Sequence, residues 1–214
     1  MRCIGNNVFV LTSSVTTTGS FRFWSTAASD YVVSNLSVQQ LAVEPTSKIL
    51  HVTAKDGVCL EKTDQNTITT TDIVNFKDGS VRVNKFNGSS SIIESTLSND
   101  VNTIIAWIKP RTDTESIIDL GGGNTITVSG GTLTAAWADD IYVNGASGTA
   151  IVHNEWNHIV CRVDSALSLT AIDIGLASAS YFDGLMSDVI FVDGIVTDTE
   201  ISQVFSSSKM LYSK

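Results

Sequence analysis

The chain has 214 residues, 43% of them hydrophobic and 16% charged, and a formal net charge of −9. That is ample apolar material for a buried core and excludes a disordered chain. The 13 Lys and Arg are scattered without a basic cluster, which excludes a nucleic-acid groove and an anionic membrane surface as partners.

From the N-terminus, "MRCIGNNVFVLTSSVTTTG" interrupts its apolar residues too early for a secretory signal, which needs about 7–15 in a row. No stretch approaches the roughly 20 apolar residues of a membrane span. Cys3, Cys59 and Cys161 are odd in number, widely spaced and without a Cys-x-x-Cys pair. That pattern points away from a disulfide framework or a zinc site and toward folding in a reducing cytoplasm.

The elements follow in order. "NVFVLTSS", "SFRFW" and "YVVSNLSV" read as strands, then "KILHVTA" and "VCLEK" around a turn at Lys55-Asp56-Gly57. "VNFKDGSVRVNKFNG" predicts a hairpin turned at Asp78-Gly79, and "NTITVSGGTLTAAW" another turned at Ser129-Gly130-Gly131. "TIIAWIKP" is a dense strand closed by Pro110. In "EWNHIVCRV" the side chains alternate, with Ile159, Cys161 and Val163 on one face and Trp156, His158, Val160 and Arg162 on the other. "LMSDVIFVDG" is the last strand. A helix of one or two turns follows, capped by Thr197 or Asp198 with Glu200 in its first turn and Ile201, Val204 and Phe205 on one face. Many short strands with regular turn signals predict an all-β sandwich.

Four stretches stand in an order that resembles a known family: "VNKFNGSSSII" (83–93), "NTIIAWIKP" (102–110), "EWNHIVCRVD" (155–164) and "IDIGLASASYFDGLMSDVIFVDGIVTDTEI" (172–201). They are similar to the aromatic–Asn/Asp–Gly–Ser, Thr–Ile–x–Ala–Trp–Ile–Lys–Pro and Glu–Trp–x–His–Ile–Val strands and to the Tyr–Phe–Asp–Gly ending of laminin-G-like domains in the concanavalin A-like lectin/glucanase superfamily. The resemblance spans residues 72–205 or so. It implies a jelly-roll sandwich of two curved antiparallel sheets with a short C-terminal helix. The expected organisation is a β-rich docking or oligomerisation segment over residues 1–70, followed by the sandwich over 71–214; residues 1–70 either form a domain of their own or contribute strands to the same sandwich.

Glucanases of that superfamily carry Glu-x-Asp-x-Glu or Glu-x-Asp-x-x-Glu on one strand, which aims three carboxylates to one side. No such triplet occurs here; Glu61 and Asp64 come nearest, with the wrong parity and no second Glu. His51, His153 and His158 are not spaced to share a strand face, and Gly121-Gly122-Gly123-Asn124 lacks the Gly-Lys-Ser/Thr of a phosphate loop. Cys161 alternates with Ile159 and Val163 and reads as a small buried hydrophobe. The expectation is a non-enzyme without catalytic residues or an organic cofactor. Many relatives in the family hold Ca²⁺ at a rim of the sandwich. The candidate oxygen ligands are Asp139, Asp140 and Asn144, which share one loop; the other reading of that loop is a solvated turn. Trp137, Tyr142 and Tyr181 are candidate stacking surfaces for a sugar, against the other reading of aromatic core.

Two functions fit these observations. The first is a virion structural protein of a phage, such as a capsid decoration, fibre or tail component. It would be made in the host cytoplasm, form a homo-oligomer such as a trimer, bind other capsid or tail proteins and contact surface glycans. Its grounds are the missing export signal on a fold that is commonly extracellular, the Ser-, Thr-, Asn- and Gly-rich composition, and an extra β-rich segment suited to pairing between subunits. The alternative is a free carbohydrate-binding or adhesion module.

Overall fold

A computed structural model of the chain describes residues 2–3, 9–10, 48–55, 58–63, 66–97 and 99–212. Its contacts divide the chain into Met1–Val38 and Gln39–Lys214. In the first unit β1 (Arg2–Cys3) pairs antiparallel with β2 (Phe9–Val10), the latter inside the expected strand "NVFVLTSS". The expected strands "SFRFW" and "YVVSNLSV" lie outside the described residues.

Among its described residues, the second unit begins with a hairpin of β3 (Lys48–Lys55) and β4 (Val58–Glu61), in which Lys55 faces Val58 across the expected turn. Next come β5 (Ile68–Thr71), β6 (Val74–Asp78), β7 (Val81–Asn87), β8 (Ile92–Ser95), β9 (Asp100–Pro110) and β10 (Glu115–Asp119). β11 (Thr125–Ser129) and β12 (Thr132–Thr134) form the second predicted hairpin, with Gly130 and Gly131 at φ of +53° and +73°. These positive dihedrals are what a tight two-residue hairpin turn demands. The remainder is β13 (Asp140–Val143), β14 (Ala146–Ser147), β15 (Asn157–Ser168), β16 (Ile172–Ile174), β17 (Leu176–Ala177), β18 (Ser180–Tyr181), β19 (Asp183–Val192) and the helix α1 (Asp198–Tyr212).

Six strands make one sheet in the order β12-β11-β10-β16-β8-β5. The larger sheet runs β14-β13-β15-β9-β19 and then divides. Along Asp183–Met186, β19 pairs with β7, which carries β6; along Val189–Val192 it pairs with β3, which carries β4. The break falls at Asp188, whose φ of +48° is unusual for a residue with a side chain, and the register with β9 shifts there. Such a bulge bends the strand and re-aims a side chain.

Between the sheets lies a core that includes Leu50, Val52, Phe86, Ile93, Ile104, Ile118, Cys161 and Phe191. β9 is buried along both faces because α1 covers the far side of the larger sheet. Ile105, Val160, Ile190, Val192, Val196 and Ile201 form one cluster there, and Val81, Val83, Trp107 and Tyr212 another. The alternation read from "EWNHIVCRV" is realised in this way: Ile159 and Cys161 enter the inter-sheet core, and Val160 faces the helix layer. Each fully buried aliphatic or aromatic side chain contributes about 1.5–3 kcal/mol.

Two expectations are corrected. The boundary at 70/71 does not hold, because β3 and β5 are strands of the two main sheets and Leu50 and Val52 are wholly buried. Its source is that β3 owes its place to β19, a partner about 140 residues away that no local pattern announces. The helix is also longer than one or two turns: it has 15 residues. Thr197 and Glu200 form a reciprocal capping box, the Thr197 backbone N–H donating to Glu200 Oε2 at 2.8 Å and the Glu200 N–H to Thr197 Oγ1 at 3.3 Å. At the far end Tyr212 stacks on Trp107, with ring centroids 3.9 Å apart and planes at 11°. That contact holds the last turns through Ser206, Ser207 and Ser208, whose hydroxyls otherwise favour a helix end.

Candidate functional site

The six-stranded sheet separates its residues by parity. Thr70, Ile93, Ile174, Ile118 and Ile126 are partners in register, and the four isoleucines are fully buried against the core. One residue along each strand, the opposite face carries Thr69, Glu94, Asp173, Asp119 and Thr125, again partners in register. Thr69 and Glu94 are exposed and the other three half-buried. Three carboxylates thus stand side by side on three adjacent strands. Directly opposed residues hold their Cβ atoms about 4.5–5.5 Å apart, and like charges in that position destabilise a sheet.

The electrostatics show the strain. The Asp173 carboxyl lies above the ordinary range, first because burial disfavours its charge and then because Glu94 and Asp119 flank it. The ionised Asp173 therefore opposes folding at neutral pH, and that opposition disappears as acid protonates it. Asp173→Asn should raise the unfolding free energy by about 0.2–1 kcal/mol at neutral pH. The gain should vanish near pH 3, below the ordinary carboxylate range; urea unfolding at the two pH values reads it directly. Asp119 also accepts the Gly121 backbone N–H at 2.8 Å, which ties the row to the 120–124 turn.

Chemically the row offers carboxylate acceptors between two threonine hydroxyls, a pattern suited to vicinal hydroxyl groups. The triplet missing from any single strand is assembled across three of them. No spacing rule within one strand would have found it, because its members lie at 94, 119 and 173. The only local signal is a charged residue set among isoleucines in "SIIES", "SIIDL" and "AIDIG".

The residues singled out from sequence fall elsewhere. Trp137 is half-buried against the core, and its indole N–H donates to the Thr125 carbonyl at 3.2 Å, which places it at the β11 end of the row. Tyr142 is a core residue under α1, 6% exposed. Its hydroxyl bonds Asp198 Oδ1 at 2.7 Å and accepts from Arg162 at 2.8 Å, and the guanidinium lies 5.2 Å from its ring centroid. Burial, then the bond to Asp198, pushes its hydroxyl up to about 12. Tyr181 is half-buried on the small β17–β18 ribbon. These three aromatics do not form one platform.

Nor do the expected calcium ligands converge. Asp139 Oδ2 accepts the Asp164 N–H at 2.8 Å, and Asp140 Oδ2 is held by Arg162 at 2.6 and 3.1 Å. Asn144 sits at the other end of β13 in a turn at φ +53°, its side-chain oxygen accepting the His158 N–H at 3.0 Å. Among the described residues, no three His, Cys, Asp or Glu side chains are grouped to hold a metal ion.

Two further polar groups are structural. Arg162 joins Asp140 on β13 to Asp198 in the first turn of α1 and to the Val196 carbonyl, so it anchors the start of the helix. At the other end Asp188 accepts from His51 at 2.9 Å and Tyr212 at 3.0 Å, with Lys62 at 3.7 Å. Burial acts to raise the Asp188 carboxyl, but these partners outweigh it and hold it at about 2. Cys161 is fully buried, which pushes its thiol up to about 12 and leaves it unreactive, as its place in the alternation suggests.

Fold and site together define an all-β sandwich module with one polar, acidic sheet face and a helix closing the other sheet. No protein-family model matches the sequence, the laminin-G-like one included, and no curated protein matches it. Among solved structures, the receptor binding domain of botulinum neurotoxin type G is similar, with a TM-score of 0.52 and 15% identity over 75% of this chain and 51% of its own. Domain 4 of AbnA, an extracellular arabinanase from Geobacillus stearothermophilus solved with arabinotriose, matches at TM-score 0.51 and 14% identity, over 75% of this chain and 99% of its own. Trypanosoma rangeli sialidase, in complex with 2,3-difluorosialic acid, matches at TM-score 0.54 and 12% identity, over 80% of this chain and 35% of its own. This chain thus spans about half of the toxin domain and about a third of the sialidase. At these identities the likeness is one of fold.

Proposed function

We propose that the protein is a non-enzymatic carbohydrate-binding module and that the carboxylate row of the six-stranded sheet is its ligand face. The observation that carries the reading is the in-register placement of Glu94, Asp173 and Asp119 on a solvent-facing sheet, at a cost in stability that neutral residues would avoid. The arabinanase domain and the sialidase, both solved with sugar ligands, lend the fold-level support, which is analogy. A row of negative charge favours neutral or amine-bearing sugars over carboxylated ones.

Binding of the full chain to an array of neutral, amino and acidic oligosaccharides tests this. The expected result is a neutral or amino-sugar ligand whose affinity falls at least tenfold in Glu94→Gln and Asp173→Asn, while Asp173→Asn gains stability. An array without hits, or hits indifferent to both substitutions, would remove the reading. Release of reducing ends from a bound glycan would turn it into a hydrolase, for which two carboxyl groups about 5–5.5 Å apart are the retaining arrangement.

The narrower readings, a laminin-G-like relationship and a role as a virion structural protein in a homo-oligomer with capsid or tail proteins, rest on the sequence features alone. Solution mass by light scattering addresses the second: a trimer or larger ring supports it, and a monomer at micromolar concentration counts against it.

A further inference from the structure

α1 rests on a set of rings that includes one titratable group with no charge partner among the described residues. His158, on β15, is fully buried, and among the described residues neither ring nitrogen has a hydrogen-bond partner. Its ring centroid lies 5.1 Å from that of Trp107 on β9 and 5.9 Å from that of Phe205 on α1. Phe205 in turn lies over Trp107 at 5.9 Å, and a Cβ on Gly145 would come within 2.7 Å of the Phe205 ring. The imidazole is therefore packed between the sheet and the helix, with a glycine turn leaving room for Phe205.

Among the described residues, charged groups surround this layer without bonding the imidazole. On β15 and β13, Arg162 is paired with Asp140 and, on α1, with Asp198. On β9, Lys109 is paired with Asp78 of β6. Lys209 of α1 sits over the outer ring, Phe205, at 5.7 Å. On β19 and β3, Asp188 and His51 are bonded to each other, with Lys62 near them, beyond Tyr212. A proton added to His158 while the helix is docked would be an unpaired charge among aromatic rings, without water. Phe205 is the ring that α1 packs against the imidazole, so lifting α1 would remove that wall of its enclosure.

We infer that α1 is an acid-released clasp: protonation of His158 undocks the helix and uncovers the aromatic face around Trp107, while the sandwich stays folded. The sign follows from linkage. Burial pushes His158 down to about 4 from an ordinary 6.5. The undocked state, with the ordinary value, binds more protons between those limits, so docking is fully favoured above about pH 6.5 and weakens as pH falls toward about 4.

Hydrogen exchange of the full chain, corrected for the intrinsic pH dependence of exchange, tests the inference. Protection of the α1 amides should fall about 100-fold between pH 7 and pH 4, while amides of β9 hold theirs. In His158→Phe, which keeps a ring but has no proton to gain, the fall should be absent. Constant α1 protection, an equal fall in His158→Phe, or simultaneous loss in β9 would each overturn the clasp. Should His158→Phe fail to fold, NMR titration of the His158 ring in the unaltered protein decides. A ring still neutral at pH 5.5 supports the clasp, and one titrating near 6.5 with α1 in place overturns it.

Discussion

Gly175→Ala should cost about 2–6 kcal/mol, combining about 1–3 for backbone strain with about 1–3 for overpacking. The residue follows β16 at φ +90°, with its N–H on the Ile117 carbonyl at 2.8 Å and its own carbonyl accepting from Phe182 at 2.9 Å. A Cβ there would lie 2.2 and 2.3 Å from ring carbons of Phe86 and 3.1 Å from the Ser91 carbonyl. Phe86 cannot yield cheaply, since it is fully buried and packed edge-on against Phe182 at 5.7 Å. A loss of that size is comparable with the whole stability of an ordinary domain, about 5–15 kcal/mol. Gly79→Ala is the matched control: φ is +61° there, but nothing lies within 4 Å of the new atom. It should cost only the strain, about 1–2 kcal/mol. Equal urea midpoints for the two variants would refute the steric account.

The second large effect concerns the N-terminal cut. Removing residues 1–38 should leave a sandwich that still melts cooperatively, because the contacts divide the chain at that point. Removing residues 1–57 should abolish the melt. The longer deletion takes β3, the partner of β19 along Val189–Val192, and empties the core of Leu50 and Val52. It also strips His51 from Asp188, one of the bonds that make this half-buried carboxylate tolerable. Large-to-small core changes cost about 2–5 kcal/mol for a single Leu, so losing a whole interior strand exceeds what such a domain can spare. Circular dichroism melts of the two truncations settle the point, and a cooperative melt after the longer deletion would show that β3 is dispensable.

These two results bear on how much of the molecule its sequence declares. Strand period, turn chemistry and caps act within a few residues, so they are legible. β9 and β19, the turn at Gly130-Gly131, the inward set Ile159 and Cys161, and the Thr197–Glu200 cap all stand where the pattern puts them, and the expected Asp78-Gly79 turn falls one residue later, at Gly79-Ser80. The all-β class follows from the same local rules, and so does the reading of Cys161 as core.

Register between distant strands obeys no such rule. The carboxylate row exists because β8, β16 and β10 align residues 94, 173 and 119, and β3 joins the sandwich because β19 changes partners at Asp188. The same cause removed Asp140 and Tyr142 from the list of available ligand groups, since Arg162 reaches both only after β13 pairs with β15. The helix runs to Tyr212 because Trp107 waits there to be covered. Sequence by itself determined which side of each strand is apolar and where the chain turns, since a side chain and its neighbours settle those at short range. Which polar residues meet, and which are already taken, was decided by tertiary packing, whose partners lie tens of residues apart and are chosen by burial and register together.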